Sequence, residues 1–140
     1  MYYGLVKFNV FSLVQWPPDR SSAQVHTNEL EQLERAEQQG YDGAWLAEHP
    51  LSRYGIGPSI HLTAAALASR TERIRIGTAV TMRPFFHPLR LAEEIAMLDI
   101  MSGGRFDWAV GCGDSTDDDE PSPLAFREQL DVMLRAWTGA

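Results

Sequence analysis

The chain has 140 residues, enough for one domain with its own core, and 44% of them are hydrophobic, as is usual for globular proteins. Its formal net charge is −7, and its only basic cluster is Arg70, Arg73 and Arg75, which argues against nucleic-acid binding. No apolar stretch approaches the roughly 20 residues that cross a membrane, and the N-terminus lacks signal-peptide features. A single cysteine excludes an intramolecular disulfide, and a cytoplasmic location is expected.

The first half of the chain predicts two strands, each followed by a helix. Residues 5–14 are rich in β-branched and aromatic side chains, which is typical of a strand. After a proline-containing loop, apolar spacing predicts a helix over Val25–Gln39, which ends at Gly40. A short apolar strand is predicted at residues 43–47, and the alanine-rich residues 59–70 predict the second helix.

The second half predicts the same pattern twice more. Residues 73–82 alternate and are β-branched, so they predict a strand; His87 and Pro88 then begin a helix that ends at paired glycines. Residues 105–111 predict the fourth strand, and Pro123 occupies the first position of the last helix. The apolar face of that helix is predicted to consist of Phe126, Leu130, Met133, Leu134 and Trp137.

Four strands that alternate with four helices predict an α/β fold with a parallel sheet and helices packed outside it. The near-uniform units favour a (β/α)8 barrel over a doubly wound sheet, and four units make half of such a barrel. We interpret residues 1–140 as one (βα)4 domain. An isolated half-barrel exposes two strand edges and one sheet face, so we expect it to form a homo-oligomer or to bind another chain.

Candidate functional residues follow the predicted strands, because the working face of α/β barrels lies at the carboxyl ends of the strands. Glu48 and His49 follow the second strand; the histidine can act as an acid, a base or a polar anchor. Glu48 can alternatively cap a helix or pair with an arginine. Gly77 and Ala79 leave room either for a flat ring or for close packing.

The remaining candidates give weaker signals. Gly111 and Cys112 end the fourth strand in a glycine-containing turn that only weakly resembles a phosphate-binding loop. No feature of the sequence indicates a lowered pKa for the Cys112 thiol. His26 and His61 lie in helical segments and receive no functional role. No zinc-site, Walker or EF-hand spacing is present, so no metal is predicted.

Three stretches in this order resemble the N-terminal half of the luciferase-like monooxygenases. They are GYDGAWLAEHP at residues 40–50, LTAAALASRTERIRIGTAV at 62–80, and HPLRLAEEIAMLDIMSGGRFDWAVGCG at 87–113. The similarity resumes at FREQLDVMLRAWTG, residues 126–139. The family includes bacterial luciferase, flavin-dependent alkane monooxygenases and F420-dependent reductases. Each stretch alone is a weak signal, whereas the ordered set is specific.

The resemblance implies a (β/α)8 barrel that holds reduced FMN, or F420, at the carboxyl ends of its strands. It implies oxygenation of a small organic substrate with O2, and a separate flavin reductase as a partner. The cofactor ring is expected against a non-proline cis peptide bond that corresponds to Ala79–Val80. His49 corresponds to an active-site histidine of the family and Glu48 to the acid before it. Gly111 and Cys112 fall where the family binds the cofactor.

The sequence departs from the family pattern in three respects. Pro50 replaces the second histidine of the luciferase motif, and Cys112 replaces an arginine that helps to hold the FMN phosphate. Asp114 adds a negative charge nearby, and the sequence comprises only four βα units. Two alternatives therefore stay open: a non-catalytic half-barrel that oligomerises or binds flavin weakly, and an F420-dependent reductase.

Overall fold

The computed structural model describes residues 6–49, 54–82, 86–111 and 123–139. In chain order they form β1 (Asn9–Ser12), α1 (Ser22–Gln38), β2 (Gly43–Leu46), α2 (Ile60–Ala68), β3 (Arg75–Thr78), β4 (Thr81–Met82), α3 (Pro88–Ser102), β5 (Phe106–Asp107), β6 (Val110–Gly111) and α4 (Pro123–Thr138). The main sheet is parallel, with the order β1-β2-β3-β5, and β4 pairs with β6 in a second parallel ladder. The predicted α/β fold with a parallel sheet and four helices is confirmed.

The hydrophobic core lies between one face of the main sheet and the helices. Ala44, Leu46 and Ile76 alternate along their strands towards that face and are fully buried. The helices contribute the buried residues Leu33, Ala36, Ile60, Ala64, Leu67, Leu91, Ile95, Leu98 and Met133. None of the helices in the described ranges has the length and apolar character that crossing a bilayer requires.

The opposite face of the main sheet is largely uncovered by the described residues. Phe11, Trp45, Gly77 and Asp107 are register partners and form one row across the four strands of this face. Phe11 is 57% exposed and Trp45 is half-buried, in contrast to the buried residues that face the helices. The face therefore has the exposure expected of the inner side of a half-barrel.

Gly77 makes room for the indole ring of Trp45 on this uncovered face. A Cβ atom added at Gly77 would lie 2.5–2.8 Å from three carbon atoms of that ring. Such distances are too short for real Cβ contacts, so any larger residue at this position would displace the tryptophan. At Gly77 the small residue therefore serves close packing within the chain rather than binding of an external ring.

The first helix begins three residues earlier than predicted, at Ser22 instead of Val25. Ser21 is its N-cap and forms a capping box with Gln24: the Ser21 hydroxyl accepts the Gln24 N–H at 3.3 Å, and the Gln24 carboxamide accepts the Ser21 N–H at 2.9 Å. These two bonds satisfy backbone donors that the first turn of a helix leaves unpaired. The apolar spacing missed this start because the first turn is polar.

Three other helix boundaries agree with the predictions. Gly40, which follows the first helix, has a φ of 86°, a left-handed conformation that glycine adopts without steric cost. α3 begins at Pro88, with His87 as its N-cap, and ends at Ser102, where the C-cap Gly103 has a φ of 67°. Proline in the first turn and glycine at the end therefore set these boundaries as expected.

The third and fourth predicted strands are each divided into two short strands. The ladder between β3 and β5 ends at the pair Gly77–Asp107 and resumes between β4 and β6. Between these ladders, the buried Thr78 hydroxyl donates to the Ala109 carbonyl at 2.8 Å and accepts the Ala109 N–H at 2.9 Å. A side chain thus replaces the main-chain partner, so the predicted continuous strands at 73–82 and 105–111 were wrong in this detail.

The amphipathic face predicted for the last helix is buried only in part. Met133 is fully buried, whereas Leu134 is 53% exposed and Trp137 is 38% exposed. The indole N–H of Trp137 donates to the Ala92 carbonyl at 2.9 Å, which ties α4 to α3. α4 packs mainly against this one helix, so only a narrow stripe of its apolar face is covered by the described residues.

Candidate functional site

The carboxyl ends of the strands meet at one edge of the sheet, where backbone hydrogen bonds hold them in order. The Ala47 N–H donates to the Ser12 carbonyl at 2.9 Å, and the Ala79 N–H donates to the Leu46 carbonyl at 2.7 Å. One strand further, the Thr81 N–H donates to the Ala109 carbonyl at 2.9 Å. The predicted site residues Glu48, His49, Ala79, Val80 and Gly111 all lie at this edge, directly after or within the strand ends.

His49 is partly exposed at this edge, and the loop that follows it holds its ring. The ring contacts Tyr54 edge-on, with centroids 4.9 Å apart and planes at 77°. A Cβ atom at Gly55 would lie 3.3 Å from the Cβ of His49 and 2.6 Å from the Leu13 carbonyl oxygen. Gly55 therefore permits the loop to approach both strand ends. Glu48, by contrast, is only 4% exposed.

Val80 and Gly111 are brought together by the structure. A Cβ atom at Gly111 would lie 2.7 Å from Cγ2 of Val80, so glycine is required for the valine to take this position. The Ala79–Val80 peptide bond is cis, as the family resemblance implied. Ala79 is half-buried and Val80 is 37% exposed. Cys112 and Pro50, also singled out in the sequence, lie outside the described residues.

Val14 marks the same edge at the end of β1. It has a φ of 49°, a conformation that is unusual for a β-branched residue, although its side chain is only 2% exposed. Its carbonyl accepts the Ile56 N–H at 3.0 Å, which ties this strand end to the loop next to His49. Unusual backbone conformations of this kind cluster at functional sites. No sequence signal indicated it, since valine at this point reads as an ordinary strand residue.

A polar cavity of about 350 Å³ lies between the end of β1 and α1. It is lined by Ser12, Arg20 and Glu29 among others, but not by His49 or Ala79. Burial raises the pKa of the Glu29 carboxyl, and a hydrogen bond from Ser12 and the charge of His26 partly offset that effect. The cavity is therefore a neighbour of the predicted site residues and does not contain them.

Three residues that the sequence left without a role converge behind the Ala79–Val80 segment. The hydroxyl of Thr81, fully buried, lies 3.1 Å from Nε2 of His61 and 3.1 Å from the indole nitrogen of Trp108. His61, which received no functional role from the sequence, is only 5% exposed. A usable signal was present: the histidine follows Ile60 and precedes Ala64 by three positions, on the apolar face of α2.

The sequence matches a family model described as luciferase-like monooxygenase over residues 6–140. A curated relative, the oxygenase component of the flavin-dependent trigonelline monooxygenase of Acinetobacter baylyi, is 33% identical over 109 residues. Those residues are 77% of this chain and 30% of that protein. The chain spans between 29% and 37% of the length of the leading curated relatives that it matches.

Solved structures show the same fold. The oxygenating constituent of 3,6-diketocamphane monooxygenase from Pseudomonas putida, in complex with FMN, superposes with a TM-score of 0.85 at 23% identity. The match covers 94% of this chain and 39% of that one. The coenzyme F420-dependent tetrahydromethanopterin reductase of Methanopyrus kandleri gives a TM-score of 0.69 at 26% identity, over 94% and 40% of the two chains. Since the family model covers nearly the whole sequence, the chain belongs to the luciferase-like monooxygenase family.

Proposed function

We propose that this chain is the N-terminal, cofactor-binding part of a flavin-dependent monooxygenase that oxygenates a small organic substrate. The observation that carries the proposal is the convergence of His49, the Ala79–Val80 segment and Gly111 on the carboxyl edge of the parallel sheet. Ligands of barrel enzymes bind at this edge. A named relative is a flavin-dependent oxygenase component, and a structural neighbour was solved with FMN, which supports the same cofactor here.

The residues present fit a flat cofactor ring. Ala79 and Val80 form an apolar, partly exposed ledge, and Gly111, which has no side chain, lets Val80 take its position on that ledge. The indole of Trp45 already fills the space above Gly77, so Gly77 is not among the residues that would hold the ring. In this proposal Ala79, Val80, Gly111 and Cys112 are the cofactor-binding residues, and the first three hold the ring.

The chemistry at this site divides between cofactor and protein. Reduced flavin, when bound, supplies the reducing power and the reaction with O2. His49 orients the substrate and holds or transfers a proton at an imidazole nitrogen, and Tyr54 fixes the orientation of its ring. Glu48, the acid that precedes His49 in the chain, is only 4% exposed and is the second catalytic residue of this proposal. A separate reductase that supplies reduced flavin, and a cytoplasmic location in which Cys112 stays reduced, complete the proposal.

Titration of the purified chain with FMN, followed by flavin fluorescence, tests the proposal. We expect saturable quenching with a Kd below about 0.1 mM, equivalent to about −5.5 kcal/mol. Ala79→Trp places an indole on the ledge and is expected to raise the Kd at least about tenfold, or 1.4 kcal/mol. Ala23→Trp is the matched control, because Ala23 is exposed near the start of α1, away from the carboxyl edge.

Three results of this titration, and of a parallel titration with F420, have distinct meanings. Equal weakening by Ala79→Trp and Ala23→Trp would show that binding does not involve the Ala79–Val80 ledge. No quenching up to millimolar FMN would contradict a flavin site in this chain. Tighter binding of F420 than of FMN would favour the reductase alternative, for which the fold of the F420-dependent neighbour is the supporting observation.

A second candidate function is a non-catalytic half-barrel that associates with a second copy of itself. Parallel sheets normally have both faces covered, whereas the face that carries Phe11 and Trp45 is exposed here and β1 and β5 are outer strands. A second set of four parallel strands would cover that face and pair with both edges.

Light scattering after size exclusion tests this second candidate. We expect a mass of about twice the 15.7 kDa of one chain for the dimer. Phe11→Glu, on the uncovered face, is expected to give monomers. Leu124→Glu, at an exposed position of α4, is the control and should leave the mass unchanged. A monomeric mass for the unmodified chain would rule out the dimer.

A further inference from the structure

The cluster behind the Ala79–Val80 segment has a defined pattern of donors and acceptors. The indole N–H of Trp108 can only donate, so the Thr81 hydroxyl accepts it and retains its own O–H to donate. Nδ1 of His61 lies 3.6 Å from a carboxylate oxygen of Glu94, and it has no hydrogen-bond partner among the described residues. The carboxylate only accepts, so it favours a proton on Nδ1. Nε2 of neutral His61 then accepts the O–H of Thr81.

Protonation of His61 would reverse one of these bonds. An imidazolium carries a hydrogen on Nε2, which must donate where the neutral ring accepts. Two donors, from His61 and Trp108, would then converge on the Thr81 oxygen, and the O–H of Thr81 would lose its acceptor. The new charge would also draw Nδ1 towards Glu94. Both changes act on Thr81, which directly follows Val80 and whose N–H is bonded to Ala109.

The surroundings of His61 favour its neutral form near pH 7 and leave the imidazole beside a cavity from which a proton can reach it. Burial lowers the pKa of His61 below its usual value, and the nearby Glu94 carboxylate offsets part of that effect. Arg90 lies on the same helix as Glu94 and donates to it at 3.1 Å; of the described residues that line the cavity beside His61, Glu94 and Arg90 are the charged ones. Phe86 packs against the ring at 5.4 Å, and a cavity of about 350 Å³ adjoins it.

We propose that His61 is a positioning residue that acts through the Thr81 hydroxyl on Val80, so that protonation of the imidazole weakens the flavin site. The inference rests on the proposed function only because that function names flavin as the ligand. The link from His61 through Thr81 to Val80 does not depend on it. The neutral imidazole holds Thr81, and Thr81 holds the end of the ledge on which the ring would lie. Flavin affinity is therefore coupled to the charge of a residue that does not touch the cofactor.

Riboflavin is the probe for the binding test, because it carries the flavin ring without a phosphate that itself titrates near pH 6. For the unmodified protein, we expect the Kd to rise at least about fivefold between pH 7.5 and 5.0. His61→Gln keeps a polar group near Thr81 without a titrating charge, so its Kd should be nearly constant with pH. His26→Gln, on an exposed histidine of α1, is the control and should behave like the unmodified protein.

A ligand-free measurement separates this inference from the proposed function. In the unmodified protein, the amide resonances of Val80 and Gly111 and the indole resonance of Trp108 should shift together as pH falls below about 6.5. His61→Gln should abolish the shift, and Glu94→Gln should move it to lower pH, because the carboxylate favours the imidazolium. A titrating His61 that leaves the Val80 and Gly111 resonances unchanged would overturn the inference.

The two failures are then distinguishable. Coupled shifts without riboflavin binding would support the positioning role and contradict the proposed flavin site. Riboflavin binding with the same pH dependence in the His61→Gln variant would support the flavin site and overturn the positioning role. Circular dichroism at each pH checks that the protein remains folded. This control is needed because the pKa of His61 is lower in the folded state than in the unfolded chain. Stability that neutral His61 contributes above about pH 6.5 is therefore lost as the pH falls from there towards the folded-state pKa.

Discussion

Replacement of Arg105 by lysine is expected to lower the free energy of unfolding by about 2–4 kcal/mol. All five N–H donors of this guanidinium have acceptors at 2.7–3.1 Å: the carbonyls of Ser102, Ile74, Ala68 and Thr71, and the Thr71 hydroxyl. Two of these carbonyls lie in the last turns of helices, that of Ala68 in α2 and that of Ser102 in α3, where carbonyls have no partner within the helix. Lysine has three donors on one nitrogen and cannot reach acceptors arranged around a planar fork.

Urea unfolding of the Arg105→Lys variant measures this loss. Arg35→Lys is the matched control, because the Arg35 side chain is exposed on α1, and a change within about 0.5 kcal/mol is expected there. A loss below about 1 kcal/mol for Arg105→Lys would show that the five bonds are largely replaced by water or by rearrangement. The m value, which is the dependence of the unfolding free energy on urea concentration, should not change, since the fold itself is retained.

Replacement of Thr78 by valine is expected to cost about 1–3 kcal/mol, because it leaves the buried Ala109 N–H without its partner. The Ala109 carbonyl is affected less, since it also accepts the Thr81 N–H. Valine has nearly the shape of threonine, so the loss reports the hydroxyl rather than a cavity. Unfolding experiments measure the stability, and hydrogen exchange of the Ala109 amide should become faster.

Thr78→Ser is the control for this second prediction. Serine keeps the hydroxyl and removes one methyl group, which is expected to cost about 0.8 kcal/mol and to leave the exchange of the Ala109 amide slow. If the serine and valine variants were equally destabilised, the two hydrogen bonds of the Thr78 hydroxyl to Ala109 would not be what stabilises this part of the sheet. These bonds lie next to Val80 and Gly111, so their loss would also disturb the proposed cofactor ledge.

Local chemistry allowed much of the fold to be predicted. Alternating apolar strands and amphipathic helices gave the order of elements, and Pro88 and Gly40 gave helix boundaries, because these residues act through their own backbone. The division of strands at Thr78 was not predictable, since it depends on a hydroxyl that reaches Ala109, 31 positions away. Likewise, the start of α1 depends on a polar capping box that apolar spacing does not detect.

By itself, the sequence determined the fold class, the family resemblance and the edge of the sheet at which Glu48, His49 and Ala79–Val80 lie. These follow from periodicity and from the rule that parallel strands align their carboxyl ends. Only the tertiary structure decided that Trp45 fills the space above Gly77, that Gly111 admits Val80, and that His61 reaches Thr81. Such contacts join residues distant in sequence, and their distances are set by packing of the whole core rather than by any local pattern.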